Sequence, residues 1–351
     1  MSKKYRVIQW TTGRIGATAL TGIIEHPNLE LVGVYCYSGD KEGRDAAQLC
    51  HTPMPSTGVT ATADIDALLA QNADCVCYTP RMGILDEVCR ILESGKDLVT
   101  PTFLFYTEEY RRRIRTACER GGASVYSVGV NPGIAGCVLP LALSAMTRHI
   151  DRVSVHEQTN WSDIENPKTI SDVRFGRPPE EVALEVNEAG RGMAHFYRDQ
   201  LCMLAEILGA ELDDIVLEQD LVVATRDNPF RTGVIAKGTV CGQRYRWLGR
   251  QAGKTRVEVD CLFTVGQEYP QHWPQVERGF TVVIEGMPSI RAHLYFNASY
   301  EREMPMEAVS KAANALTAML AVNAIPNVCE APAGILTPPQ VGLVMAGRGL
   351  R

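Results

Sequence analysis

The sequence predicts an α/β fold, with a doubly wound parallel sheet followed by a second α+β domain built on an open, mostly antiparallel sheet. Three observations carry that expectation. The first is the opening stretch, YRVIQWTTGRIGATALTGII from Tyr5 to Ile24, where a run of β-formers gives way to a glycine turn and then to apolar residues at helical spacing. The second is the alternation of strand-like and helix-like segments that continues to about residue 128. The third is a change of texture after Gly129-Val130-Asn131-Pro132-Gly133, beyond which strand-like runs bunch together instead of alternating with helices.

The elements follow in order. Arg6 to Trp10 reads as a strand, and Thr11-Thr12-Gly13-Arg14-Ile15-Gly16 as the turn into a helix whose N–H groups can face a diphosphate. The fingerprint G-x-G-x-x-G is present with Thr11 in place of its first glycine. Gly13 allows close approach of a ligand, and Gly16 lets the helix pack on the strand. A second strand, Leu29 to Tyr35, completes a βαβ unit, so this half is read as a Rossmann-type dinucleotide domain. An NAD-selective site places an acid at the end of that strand; here Ser38, Lys41 and Arg44 stand nearby instead, which favours the 2′-phosphate of NADP with NAD as the alternative. The strand Asp74 to Thr79 ends at Pro80-Arg81, so Thr79, Pro80 and Arg81 are candidates for the nicotinamide side. A helix from Ile84 to Ser94, a strand from Asp97 to Thr100, a helix from Glu108 to Arg120 and a strand from Ser124 to Val128 complete the half. Thr100 and Asn131 follow the ends of such strands and are cofactor candidates as well.

From His149 the predicted strands are Arg152 to Thr159, Ile215 to Val223, Val234 to Val240, Tyr245 to Leu248, Arg256 to Val265, Phe280 to Ile284 and Ile290 to Phe296. One amphipathic helix, Gly192 to Leu208, interrupts them and carries His195, a candidate for catalysis and substrate binding. Asn160 and Trp161 end the first of these strands, where a substrate pocket is expected. A last helix, Met306 to Ala321, leads into a helical, proline-rich tail that carries Asn323, a further substrate candidate. The expected domains are residues 1–148 for the dinucleotide, 149–305 for substrate and dimerisation, and 306–351 returning to the nucleotide domain. A sheet with one face uncovered by its own helices predicts a homodimer.

Composition narrows the classes. A formal charge of −6 and a pI near 5.7 argue against a nucleic-acid surface, and Arg111-Arg112-Arg113 reads as a solvated helix face. The 11 cysteines are an odd number with no C-x-x-C pair, as expected for reduced thiols in a cytoplasmic protein. The start MSKKYRV lacks an apolar signal region, and the stretch from Ile134 to Met146 is too short to span a bilayer, so no membrane partner is expected. No histidine and acid spacing suggests a metal.

Five segments carry a resemblance: IQWTTGRIG, LELVGVYCYSGDKEGRDAA, GVNPGIAGCVLPLAL, VRFGRPPEEV and VNAIPNVCEAPAGI. Together they resemble the 2,4-diaminopentanoate dehydrogenase and native amine dehydrogenase family over nearly the whole chain. The resemblance implies a nucleotide half like that of dihydrodipicolinate reductase and interconversion of amines with ketones and ammonia by NAD(P)(H). It also implies a glutamate in the loop after the strand ending at Thr100. Here that loop reads Pro101-Thr102-Phe103-Leu104-Phe105-Tyr106-Thr107, so the candidates left for proton handling are Tyr106, Glu108 and His195. Phe103, Phe105 and Trp161 would line an apolar pocket. The expected function is an NAD(P)-dependent oxidoreductase acting on the C=N or C–N bond of a small ketone or amine. The alternatives are a carbonyl or imine reductase that needs no carboxylate and a non-catalytic NADP-binding sensor.

Overall fold

The computed structural model describes residues 3–102, 107–163, 170–171, 173–183, 194–266 and 269–348. It divides into two compact units, Met1–Ile134 with Asn297–Arg351, and Ala135–Phe296. Both boundaries fall earlier than the sequence suggests. Leu139, Leu141 and Leu143 of the helix Leu139–Ser144 pack into the core of the second unit, which draws the preceding residues with them.

The first unit holds β1 (Tyr5–Trp10), α1 (Arg14–Glu25), β2 (Leu29–Tyr35), β3 (Ala61–Thr62), α2 (Ile65–Leu69), β4 (Cys75–Tyr78), α3 (Leu85–Glu93), β5 (Asp97–Thr100), α4 (Glu108–Gly121) and β6 (Ser124–Ser127). Its sheet runs in the order β15-β6-β5-β4-β1-β2-β3, where β15 is Gly334–Ile335, and every pairing is parallel. Apolar runs buried on both faces explain the parallel choice: Val7, Ile8, Val76, Leu98 and Val125 are all inaccessible to solvent. Successive strands step outward from β1 in opposite directions, so the crevice for a ligand opens at the carboxyl ends of β1 and β4.

The long helix Met306–Glu330 lies against this sheet through Ala318, Ala321, Val322, Ala324, Ile325 and Val328. It is long and apolar enough to cross a membrane, but its apolar residues join the core formed by β1, β4 and β5. The helix continues past the expected end at Ala321 and contains Pro326, because its burial against the sheet extends to Val328.

The second unit continues with α5 (Leu139–Ser144), β7 (His149–Asn160), α6 (Ala194–Ile207), β8 (Asp214–Val223), β9 (Asn228–Phe230), β10 (Gly233–Ile235), β11 (Val240–Gln251), β12 (Lys254–Thr264), β13 (Gly279–Met287) and β14 (Ile290–Leu294). Its main sheet runs β14-β13-β7-β12-β11-β8 and is antiparallel except where β7 meets β12. Strand period two separates its faces. Val153, Val155, Val257, Val259, Val282 and Ile284 join Leu201 and Leu204 of α6 in one core. Register puts Glu218, Arg246, Asp260, His156, Thr281 and His293 in one polar row across the other face. There the Arg244 fork holds Asp260 at 2.9 and 2.8 Å, and Arg246 reaches Glu258 at 2.9 Å and Glu218 at 2.6 Å. Burial works to raise the Asp260 carboxyl, but neighbouring His156 and the Arg244 fork outweigh it and hold the group below its ordinary range.

At the opposite end of the parallel sheet from the ligand crevice, burial pushes the Asp97 carboxyl up to about 6, while the Ser124 N–H donates to it at 2.7 Å. The folded chain therefore binds this proton more tightly than the unfolded chain, in which a carboxyl titrates near 4. Its contribution to stability is fully present below about pH 4 and is lost as pH rises through about 6. Asp97→Asn is expected to raise stability by about 1–2 kcal/mol at pH 8 and by far less at pH 4. Urea unfolding of both proteins at the two pH values measures the difference, and an equal change at both would contradict it.

Candidate dinucleotide site

The turn after β1 is built around Thr11, the residue that stands in place of the fingerprint's first glycine. Thr11 has φ +72°, in the left-handed region that glycine enters freely and a β-branched residue resists. What holds it there is Gln9, fully buried, whose Nε2 donates to the Thr11 carbonyl at 2.8 Å and to Thr79 Oγ1 at 2.8 Å. The Thr79 hydroxyl in turn donates to the Trp10 carbonyl at 2.9 Å, and Thr11 Oγ1 lies 3.3 Å from it. Thr79 thus belongs to the foundation of the turn. Gln9 was missed by the sequence reading; its signal is an amide one residue before the end of a strand, following the apolar pair Val7-Ile8.

The following residues fit a diphosphate. Gly13 is the N-cap of α1, no side chain caps that end, and no acid occupies its first turn, so the orphan N–H groups and the dipole are left for an anionic ligand. A Cβ at Gly13 would have no atom within 4 Å, which marks the space beside it as open. At Gly16 a Cβ would stand 2.3 Å from the Thr11 carbonyl oxygen and 2.7 Å from Thr79 Oγ1, so only glycine lets α1 start here. Thr12 is buried, Arg14 is exposed and Ile15 is half-buried; the Arg14 carbonyl lies 3.1 Å from His51 Nε2.

Beyond β2 the three polar candidates differ. Lys41 Nζ donates to the Thr12 carbonyl at 3.0 Å and to Thr12 Oγ1 at 3.1 Å, which places a cation directly against the glycine turn. Arg44 is exposed and its Nη2 donates to the Gln48 carbonyl at 3.2 Å. The Ser38 hydroxyl donates to Asp40. Asp45 is spent on the loop itself: the N–H groups of Ala47, Thr57 and Gly58 and the Ser56 hydroxyl hold its carboxylate well below the usual range.

At the other strand ends, Thr102 Oγ1 donates to the Pro80 carbonyl at 2.8 Å and the Thr102 N–H to Thr100 Oγ1 at 3.0 Å, which draws the ends of β4 and β5 together. Arg81 is exposed. The buried Ser127 Oγ, at the end of β6 and paired in register with Thr100, has no hydrogen-bond partner among the described residues, and neither does Gln9 Oε1. Such atoms are what a bound polar group would satisfy. Asn131 lies four residues beyond the end of β6 in the segment Val130–Val138. Phe103, Phe105 and Tyr106 lie outside the described residues. Glu108 is exposed in the first turn of α4, whose cap is the Thr107 hydroxyl accepting from the Tyr110 N–H at 3.2 Å; this is the place of an acid that supports a helix dipole.

In the second unit, Asn160 spends its side chain locally, donating to the Gly266 carbonyl at 2.8 Å and accepting from the Ser162 N–H at 2.9 Å. Trp161 packs against Phe263 and Phe175 at ring distances of 5.5 and 6.3 Å, and its buried indole N–H has no partner among the described residues. His195 is in α6.

Comparison with known proteins decides the family. The family model described as 2,4-diaminopentanoate dehydrogenase C-terminal domain matches residues 138–348, and that of the dihydrodipicolinate reductase N-terminus matches residues 7–128. The chain belongs to the 2,4-diaminopentanoate dehydrogenase family. It is 29% identical to an amine dehydrogenase of Streptomyces virginiae over 81% of this chain and 82% of that protein. It is 20% identical to the 2,4-diaminopentanoate dehydrogenase of Acetoanaerobium sticklandii over 95% and 92% of the two chains. Among solved structures it is similar to an amine dehydrogenase from Mycobacterium smegmatis, with a TM-score of 0.73, 19% identity and 97% of each chain covered. The protein is therefore an oxidoreductase of the amine dehydrogenase type with a nicotinamide dinucleotide as cofactor, and the sensor alternative is set aside. The glycine turn, the uncapped helix end and the orphaned strand-end atoms fit that cofactor.

One substrate candidate does not join this member of the 2,4-diaminopentanoate dehydrogenase family's site. Asn323 accepts from the Gly347 N–H at 3.2 Å, and Gly347 sits against His26, just before the start of β2. That is the amino end of the sheet, opposite the crevice, so Asn323 ties down the tail. Asn323 lies inside the proline-containing helix Met306–Glu330, and the sequence gave no cue to which end of the sheet it reaches.

Proposed function

We propose that this enzyme interconverts small, largely apolar ketones and their amines, with NADP(H) preferred and NAD(H) as the alternative. The supporting observation is an uncapped glycine turn at the start of α1, suited to a diphosphate, in a chain similar along most of its length to an amine dehydrogenase. Ammonia adds to the ketone carbon and water leaves to give C=N. The dinucleotide, when bound, supplies the hydride that forms the C–H bond. Loss of water needs a proton at the departing oxygen. Among Phe103, Leu104, Phe105 and Tyr106 only Tyr106 carries an exchangeable one, and the proposal assigns it that role ahead of exposed Glu108 and of His195. Phe103 and Phe105 are proposed to supply the apolar lining. The lack of a carboxylate between residues 101 and 107 favours one second reading, a carbonyl or imine reductase.

The NADP preference rests on Lys41 and Arg44 with no strand-end acid at β2. Lys41→Ala and Arg44→Ala are each expected to weaken NADPH by about 1–3 kcal/mol and to leave NADH nearly unchanged. Calorimetric titration of both dinucleotides checks this, and equal weakening of the two would remove the phosphate role. A homodimer formed through the second unit is part of the proposal, and a monomer's mass by light scattering at micromolar concentration would argue against it.

A further inference from the structure

In the second unit, the core beneath α6 turns polar where β7 nears its end. Val153, Val155 and Glu157 follow one another at the strand period on the face that packs against α6, so a carboxylate stands where the pattern calls for an apolar side chain. Glu157 Oε2 accepts from the Tyr197 hydroxyl at 3.3 Å, and its Oε1 from the Thr159 hydroxyl at 3.4 Å. Tyr197 and Gln200 of α6 are both buried, and their spacing of three puts the two side chains next to each other on one helix face. Gln200 Nε2 donates to the Gly136 carbonyl at 3.2 Å, which fixes the direction of the amide. Its Oε1 is buried and has no partner among the described residues. Gly136 itself belongs to the segment Val130–Val138 that follows β6.

What this cluster offers is acceptors. The Gln200 amide nitrogen is engaged by Gly136. Burial above all, with Cys261 and Glu157 beside it, pushes the Tyr197 phenol far above its ordinary range, so the hydroxyl keeps its proton and gives it to the carboxylate. That leaves the Gln200 carbonyl oxygen, the lone pairs of the Tyr197 oxygen and the Glu157 carboxylate. A buried acceptor without a donor is costly, and the species that suits several acceptors around one carboxylate is a cation with N–H donors and no acceptor of its own. Ammonium is the smallest of these, and amine–ketone interconversion consumes or releases it. We propose that Gln200, Tyr197 and Glu157 form the seat of the ammonium ion, and that Glu157 takes the proton ammonium must lose before it reacts. The proton leaves the ammonium nitrogen for the carboxylate, which becomes a carboxyl, and the lone pair set loose on nitrogen forms the bond to the ketone carbon. In the reverse direction the carboxyl returns that proton to departing ammonia. The proposal rests on the amine–ketone reading of the enzyme.

Steady-state kinetics of the full chain test the seat, with NADPH, a saturating ketone and varied ammonium chloride, near neutral pH and again above the pKa of ammonium. Gln200→Met is expected to raise the KM for ammonium near neutral pH roughly tenfold or more, and Tyr197→Phe to raise it in the same direction, with the ketone KM and the Kd for NADPH unchanged. Glu157→Gln is expected to lose most of its turnover near neutral pH and to regain it above the pKa of ammonium, where the nitrogen arrives already deprotonated. A merely structural role would instead lower the melting temperature and depress turnover equally at both pH values. Should Glu157→Gln fail to fold, Gln200→Met and Tyr197→Phe, which change no charge, carry the test. An unchanged ammonium KM in those two variants, or a Glu157→Gln loss that does not recover with pH, would overturn the seat while leaving the amine–ketone reading intact. Wild-type turnover that needs no ammonium would overturn that reading itself.

Discussion

Replacing Gly16 by alanine is expected to abolish dinucleotide binding and to cost the fold about 1–3 kcal/mol. The added Cβ would stand 2.3 Å from the Thr11 carbonyl oxygen, a backbone atom fixed by the Gln9 amide at 2.8 Å. Relief requires moving Thr11, whose φ of +72° leaves it few other conformations compatible with the start of α1. Displacing it breaks the contacts that join Gln9, Thr11 and Thr79 beneath the turn. Gly13→Ala is the matched control, since a Cβ there meets nothing within 4 Å. It should leave the melting temperature unchanged and weaken NADPH at least about tenfold, because the methyl occupies the space the phosphates need. Thermal melts and NADPH titrations on both variants separate the two effects; a Gly16→Ala protein that binds normally would refute the geometry.

Much of this turn was legible because it is local. A strand, a glycine pair and a helix within twenty residues leave a periodic trace, and the lengths of β5 and α4 follow from the same kind of trace. What escaped was carried by distant partners. The edge strands β3 and β15 have two residues each, too few for any period, and β15 joins β6 from more than two hundred residues away. Gln9 reads as an ordinary strand residue until Thr79 is beside it, and Glu87 as an ordinary first-turn acid until Trp10, Tyr37 and Tyr78 converge on it. Asn323 was drawn toward the substrate because sequence gives no sense of which end of a sheet a long helix reaches. The sheet of the second unit was foreseen as mostly antiparallel, whereas its parallel β7 and β12 pairing depends on register that only the fold supplies.

The second large effect concerns proton handling. Tyr106→Phe removes the one exchangeable proton in the stretch from Phe103 to Tyr106. A positioned general acid contributes about 10²–10⁴-fold, so ammonia-dependent turnover is expected to fall by about 10²-fold or more while the Kd for NADPH stays the same. Glu108→Gln, an exposed first-turn position, is expected to change the rate less than about twofold and to cost only about 0.3–1 kcal/mol of helix stability. The opposite ranking would mean that the carboxylate, not the phenol, moves the proton.

The central claim is that the bond reduced is C=N. Its direct measurement is NADPH oxidation followed at 340 nm with a panel of small ketones and aldehydes, each with and without an ammonium buffer near pH 9, and with the amine product quantified. Amine formation that requires ammonia and matches NADPH consumed one for one is the predicted result. Equal consumption without ammonia, with alcohol as the product, would contradict it and establish a carbonyl reductase in its place.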